Sequence, residues 1–203
     1  MTTTIEVFAE VTCPFAHVSL RRFVDERTRR GSHEHLHVLA WPLEVVNGAP
    51  MDAEFIAEEV DDIRRQVADD LFVGFDVSAF PSTTLPALAL AHAAYQRSLE
   101  AGEAVSLELR RLLFEQGVDV SDPDVLLRLA DDHAVEVDLD DRSGVLADHA
   151  AGQARGVIGS PHFFTATDGF FCPALDISRG DDGHLHVGRD VAGFDRFLRS
   201  CFG

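Results

Sequence analysis

A run of strand length, Ile5-Glu6-Val7-Phe8-Ala9, ends at Thr12-Cys13-Pro14, and a helical period takes over at once. The β-branched and aromatic residues with loose alternation predict a first strand. Pro14 suits the first turn of a helix, where a missing backbone N–H leaves no intrahelical bond unmade. Ala16, Leu20, Phe23 and Val24 then recur at helical spacing, and Gly31 is a stop. Leu36 to Trp41 is a second apolar stretch of strand length, closed by Pro42. Strand, helix and strand within about forty residues are the pattern of a parallel pair joined by a crossover helix.

The middle of the chain changes period. From Ala53 to about Gly156 the pattern is almost wholly helical. Leu85 to Glu100 is rich in Ala and Leu and is read as closing at Gly102. Val105, Leu109, Leu112 and Leu113 mark another helix before Gly117. Ser121-Asp122-Pro123-Asp124 is read as a helix start, with Ser121 capping and Asp124 reaching back. Val125, Leu126, Leu129 and Ala130 form that helix's apolar stripe, and a further helix ends near Arg155-Gly156.

The β pattern then returns. Gly159-Ser160-Pro161 precedes His162-Phe163-Phe164-Thr165, Asp168-Gly169 is a hairpin turn signal, and Phe170-Phe171-Cys172 begins the return strand. Phe194, Phe197, Leu198 and Cys201 fall on one face of a closing helix. The plan is βαβ, a helical block, a hairpin and a last helix. Its simplest organisation is one discontinuous α/β unit, residues 1–50 and 156–203, interrupted by a helical insertion over 51–155.

Three segments carry a family likeness. Thr12-Cys13-Pro14-Phe15-Ala16, after a strand and opening a helix, resembles the active-site segment of DsbA-like proteins. Gly156-Val157-Ile158-Gly159-Ser160-Pro161-His162-Phe163 resembles their second landmark, a loop ending in a cis-proline. Phe114 to Asp122 resembles a part of their helical domain. The resemblance implies an α/β thioredoxin-like fold with an all-helical insertion. It implies Cys13, Pro14 and Pro161 as catalytic residues, and Phe15, Ala16, His17, Ser160 and His162 as lining for a bound ligand. Its relatives usually carry a second cysteine three residues after the first; here that position is Ala16, giving Cys-x-x-Ala. An internal dithiol–disulfide cycle within that motif is therefore unavailable.

A lone thiol can still attack a disulfide and form a mixed disulfide, which an external thiol such as glutathione then releases. The implied activity is monothiol oxidoreductase chemistry on a thiol- or disulfide-bearing substrate, without a tightly bound cofactor. A helix N-terminus favours the thiolate, and protonated His17, four residues on, would add to it; burial beneath Phe8 or Phe15 would act the other way, and since the first influence follows from position alone, some thiolate character is expected. Two alternatives stay open. The 2-hydroxychromene-2-carboxylate isomerases and kappa-class glutathione transferases share the Pro14-Phe15-Ala16 likeness but place serine where Cys13 stands. There a bound small thiol does the chemistry. The third reading is a non-catalytic thioredoxin-fold binding protein whose peptide groove persists after loss of dithiol chemistry; Cys13 itself can also be read as a relic packed as a small hydrophobe.

Cys172 precedes Pro173 and is a candidate to resolve Cys13, but it lies on a neighbouring β-element that spacing alone does not bring within disulfide reach, so the pairing is not expected. Cys201, on an apolar helix face, reads as core. His33, His35 and His37 alternate, as do His184 and His186, but no carboxylate or cysteine spacing completes a closed metal site. No metal is expected.

The net charge of −18 disfavours nucleic acid and anionic membrane surfaces as partners. Besides fifteen Phe the aromatics are Trp41 and Tyr95, which suits a core better than a base-stacking platform. The first residues, Met1 to Glu6, lack a signal-peptide pattern, and the three cysteines are too few for a disulfide framework. A cytoplasmic location is the expectation, and the resemblance adds a homodimer.

Overall fold

The computed structural model describes residues 4–181 and 183–203. β1 (Thr4–Ala9) leads through α1 (Pro14–Arg30) into β2 (His35–Ala40), and the two strands run parallel with Thr4 opposite His35 and Ala9 opposite Ala40. Gly31 takes φ 63° at the end of α1, a left-handed turn that costs glycine least. Six α-helices follow: α2 (Leu43–Asn47), α3 (Ala53–Gln66), α4 (Leu85–Arg97), α5 (Leu99–Gln116), α6 (Pro123–Asp132) and α7 (Ser143–Arg155). β3 (His162–Phe164) then pairs antiparallel with β1, and β4 (Gly169–Phe171) with β3. The sheet order is β2-β1-β3-β4. A second two-stranded sheet, β5 (Leu175–Arg179) and β6 (Leu185–Arg189), precedes α8 (Val191–Phe202). This is an α/β thioredoxin-like fold with a helical insertion.

The period-two alternation of β1 sorts its side chains between two faces. Ile5, Val7 and Ala9 join Ala16, Leu20 and Phe23 of α1 and Phe197, Leu198 and Cys201 of α8 in one apolar cluster. Phe8 points the other way, onto Trp41 and Val157. There α7 comes so close that a Cβ on Gly152 would lie 2.7 Å from the Trp41 ring. A third cluster fills the helical insertion and continues to Val11 and Val18 beside the start of α1, and to Cys172 after β4.

The insertion also closes the edge of the sheet. Outward-facing N–H groups of an edge strand are unpaired unless something covers them. Three on β2 receive side-chain acceptors: Leu36 from the Glu103 carboxylate at 3.0 Å, Val38 from the Tyr95 hydroxyl at 2.9 Å, and Ala40 from Asp148 at 3.0 Å. The Tyr95 hydroxyl donates in turn to the Leu36 carbonyl at 2.9 Å.

Several local expectations need correction. The Leu85–Glu100 helix breaks at Ser98, whose hydroxyl caps α5 by accepting from the Ala101 N–H. Gly102 is no stop; it lies inside α5, where a Cβ would meet the Tyr95 ring at 2.1 Å. Asp122, not Ser121, caps α6, because Pro123 occupies its first turn and Ser121 is tied to Asp119 instead. β4 begins at Gly169 and stops at Phe171, since Cys172 adopts φ 44°, which a ladder does not accommodate. The β5–β6 hairpin was not anticipated: its polar, charged strands carry a weak apolar signal. Gln66 and Asp62 of α3 hold it by bonds to Leu185 and Val187.

Candidate functional site

β1 delivers the chain to the start of α1, and Cys13 is the residue that caps it. Its backbone is extended (φ −79°, ψ 112°), Pro14 follows in the first turn, and the sulfur accepts from the Ala16 N–H at 3.4 Å. The Cys13 thiol donates to the Ser160 carbonyl at 3.2 Å. The Ser160–Pro161 peptide bond is cis. Sequence-distant segments, 147 residues apart, thus meet at one sulfur.

Two buried residues that the sequence reading did not single out hold this junction. The Glu10 N–H donates to the Ser160 hydroxyl at 2.9 Å, tying the end of β1 to the proline loop. The Glu10 carboxylate accepts from the Val11 N–H at 2.5 Å and the Leu43 N–H at 2.8 Å, so it shapes the turn leading to Cys13. Burial pushes the Glu10 carboxyl pKa up, against those hydrogen bonds and the Arg110 charge. Arg110, 1 % exposed, donates to the Glu10 carbonyl at 3.1 Å and the Ser106 carbonyl at 2.8 Å. Its position next to Leu109 on an apolar stripe was the available signal: a charge at a core position needs a partner.

The expectation of thiolate character at Cys13 does not hold for this geometry. Only 5 % of the residue is exposed, and burial pushes its pKa up to about 11. The Ser160 contact and the Ala16 N–H oppose that rise, while the nearby Glu59 charge adds to it. The helix end thus acts in the expected direction and is outweighed.

His17 is corrected more sharply. Its ring packs between Phe72 and Phe114, with centroids 5.1 and 5.0 Å away, and bonds Glu115 at 2.6 Å. Burial lowers its pKa despite Glu115, and the same carboxylate also accepts from the Phe72 and Val73 N–H groups. His17 therefore packs between α1 and α5 against Glu115, and burial works against a positive charge on its ring.

Phe15 is partly buried against two apolar clusters, and Ala16 is wholly buried. His162 pairs across from Phe8 and stacks on Phe164 at 4.4 Å, on the side of the sheet away from the cluster that contains Cys13. Strand alternation decides this, since Phe163 takes the inward position. Cys201 is buried beside Phe197. His35 lies 3.4 Å from Glu103 and 3.6 Å from Glu100, and His37 packs on Tyr95. Among the described residues no helix is long and apolar enough to cross a membrane.

No protein-family profile and no curated protein matches the sequence. Solved structures do match in fold. A candidate protein disulfide isomerase from Nitrosomonas europaea superposes with a TM-score of 0.66 at 14 % identity, over 100 % of both chains. A 2-hydroxychromene-2-carboxylate isomerase gives 0.62 at 12 % identity, over 83 % of this chain and 88 % of the other. The cytosolic disulfide reductase DsbM of Pseudomonas aeruginosa, in a structure with glutathione, gives 0.55 at 15 % identity, over 97 % and 99 %. At these identities the likeness establishes a shared fold.

Proposed function

We propose that the chain is a cytoplasmic monothiol–disulfide oxidoreductase that works through mixed disulfides at Cys13, with glutathione or an equivalent small thiol completing turnover. The observation that carries this reading is the placement of Cys13. A cysteine caps a helix, receives an N–H bond on its sulfur and faces the carbonyl that precedes a cis-proline. Developing thiolate charge is met by the helix end, and the Ser160–Pro161 backbone offers an edge for an extended peptide or thiol ligand. Ala16 removes the resolving position within the motif, so release falls to an external thiol. Residues 1–50 and 156–203 carry this chemistry, and the helical segment 51–155 shapes the approach to it. The fold shared with a cytosolic disulfide reductase in a glutathione-containing structure supports the thiol class.

One observation favours a second reading. With its pKa pushed up to about 11, Cys13 is a protonated donor at neutral pH. A donor is what a small-thiol-dependent isomerase or transferase needs at this position to hold the sulfur of a bound thiol. Substitution separates the two. In the oxidoreductase reading Cys13→Ser and Cys13→Ala both abolish glutathione-dependent reduction of a disulfide-bonded peptide. If Cys13→Ser retains that activity while Cys13→Ala loses it, the hydroxyl is standing in as a donor and the mixed-disulfide mechanism fails.

A further inference from the structure

We infer that Cys172 is a second redox residue of this site, which resolves mixed disulfides formed at Cys13 by closing a Cys13–Cys172 disulfide. The inference rests on mixed-disulfide formation at Cys13 as proposed above and alters only its release: the missing partner of Cys13 comes from the residue after β4 instead of from the Cys-x-x-Ala helix turn.

The placement comes from two consecutive carbonyls of the cis-proline loop. The Cys13 thiol donates to the Ser160 carbonyl at 3.2 Å, and the Cys172 N–H donates to the next carbonyl, Pro161, at 2.9 Å. Phe170, two residues before Cys172, belongs to the apolar face that α1 covers. Cys172 therefore closes β4 beside the start of α1, and it is 5 % exposed, as Cys13 is. Burial lifts the Cys172 pKa to about 12, and the Cys13 charge is the second cause.

Ser19 adds an independent observation. It is wholly buried on α1, one turn beyond Phe15 and Ala16, and its hydroxyl makes no hydrogen bond of ordinary length to any described residue. That hydroxyl lies near enough to Cys172 to favour its thiolate. A buried orphan hydroxyl is costly unless something uses it. A developing sulfur anion at Cys172 would.

Both cysteines are free thiols, and closing the bond needs their Cα atoms within about 7 Å. Cys172 holds φ 44°, a strained value for a residue with a Cβ, so a shift of this segment starts from an unfavourable backbone. Burial keeps the Cys172 thiol protonated at neutral pH, so the attack draws on a small thiolate fraction. Once Cys13 is bonded to a ligand sulfur it carries no competing charge, and the contribution it makes to the Cys172 rise disappears.

The step balances. Cys172 loses its proton and its sulfur attacks Cys13 Sγ; the bond from Cys13 to the ligand sulfur breaks, and the ligand leaves as a thiol carrying one proton. The oxidising equivalent is that of the external disulfide consumed in forming the adduct. Two equivalents of small thiol then return the protein to its dithiol form.

The test is a time course of intact mass and non-reduced peptide mapping after mixing full-length protein with oxidised glutathione. Wild type is expected to pass through a Cys13 adduct to a Cys13–Cys172 cross-linked peptide. Cys172→Ser, and Cys172→Gly as the variant that suits the positive φ, are expected to hold the adduct at least about tenfold longer. Equal adduct lifetimes in wild type and both variants, with no cross-linked peptide, overturn this inference and leave the monothiol reading standing. No adduct at Cys13 in any of the three proteins overturns the monothiol reading, and the inference with it.

Discussion

Cys13 sits between two opposed effects of unequal size. A helix end favours an anion by about 1 kcal/mol, which is less than one pKa unit, whereas full burial moves a thiol by several. The residue type and the helix start were legible in Thr12-Cys13-Pro14; the desolvation was not, because it comes from segments far away in sequence. Glu59 shows the same contest in a carboxylate. Arg179 bonds it at 2.9 Å, yet burial pushes its pKa from 4.5 up to about 7. The folded state then holds that proton more tightly than the unfolded chain. Its contribution to stability is fully present below about 4.5 and is lost as pH rises through about 7. Glu59→Gln cannot ionise, so its stability relative to wild type should climb across that window. Urea midpoints measured at the two ends check this; a constant difference between the two proteins would refute it.

At the scale of elements, Tyr95 decides how α4 meets the sheet. Its hydroxyl serves both Val38 and Leu36 on β2, and its ring lies where a Cβ on Gly102 would fall. Tyr95→Phe should cost about 1–3 kcal/mol by leaving those backbone groups unpaired. Gly102→Ala should cost a similar amount, about 1–3 kcal/mol, by forcing the ring away. Because both act through one side chain, the double variant should lose less than the sum, which a denaturant double-mutant cycle measures. Strict additivity would show that Gly102 and Tyr95 are independent. Such pairs explain why helices were easier to foresee than their ends. Periodicity located α4 and α5, but the break falls at Ser98, where a hydroxyl caps the second helix, and the glycine read as a terminator is a packing requirement. The β5–β6 hairpin was missed for a related reason: it is held by α3 side chains, not by its own apolar alternation.

Across the whole molecule, the helical insertion and the thioredoxin-like part share hydrogen bonds as well as apolar surface. Glu103, Tyr95 and Asp148 cap β2, Arg110 of α5 supports Glu10, and Glu115 of α5 holds His17 of α1. The order of elements apart from β5 and β6, and the junction of Cys13 with the Pro161 loop, are readable in the sequence. The supports of that junction, Glu10 and Arg110, are not, since each depends on a partner about a hundred residues away. The proposed chemistry centres on Cys13, a buried thiol at a helix start. Mass analysis of the native protein after exposure to oxidised glutathione at pH 7 and at pH 9 tests that most directly. The account predicts a glutathionyl group, or the cross-link that follows from it, mapped to Cys13 and formed faster at pH 9, because the reacting thiolate is scarce at pH 7. A protein whose Cys13 stays unmodified at both pH values, while an alkylating agent still reaches it, would contradict the account.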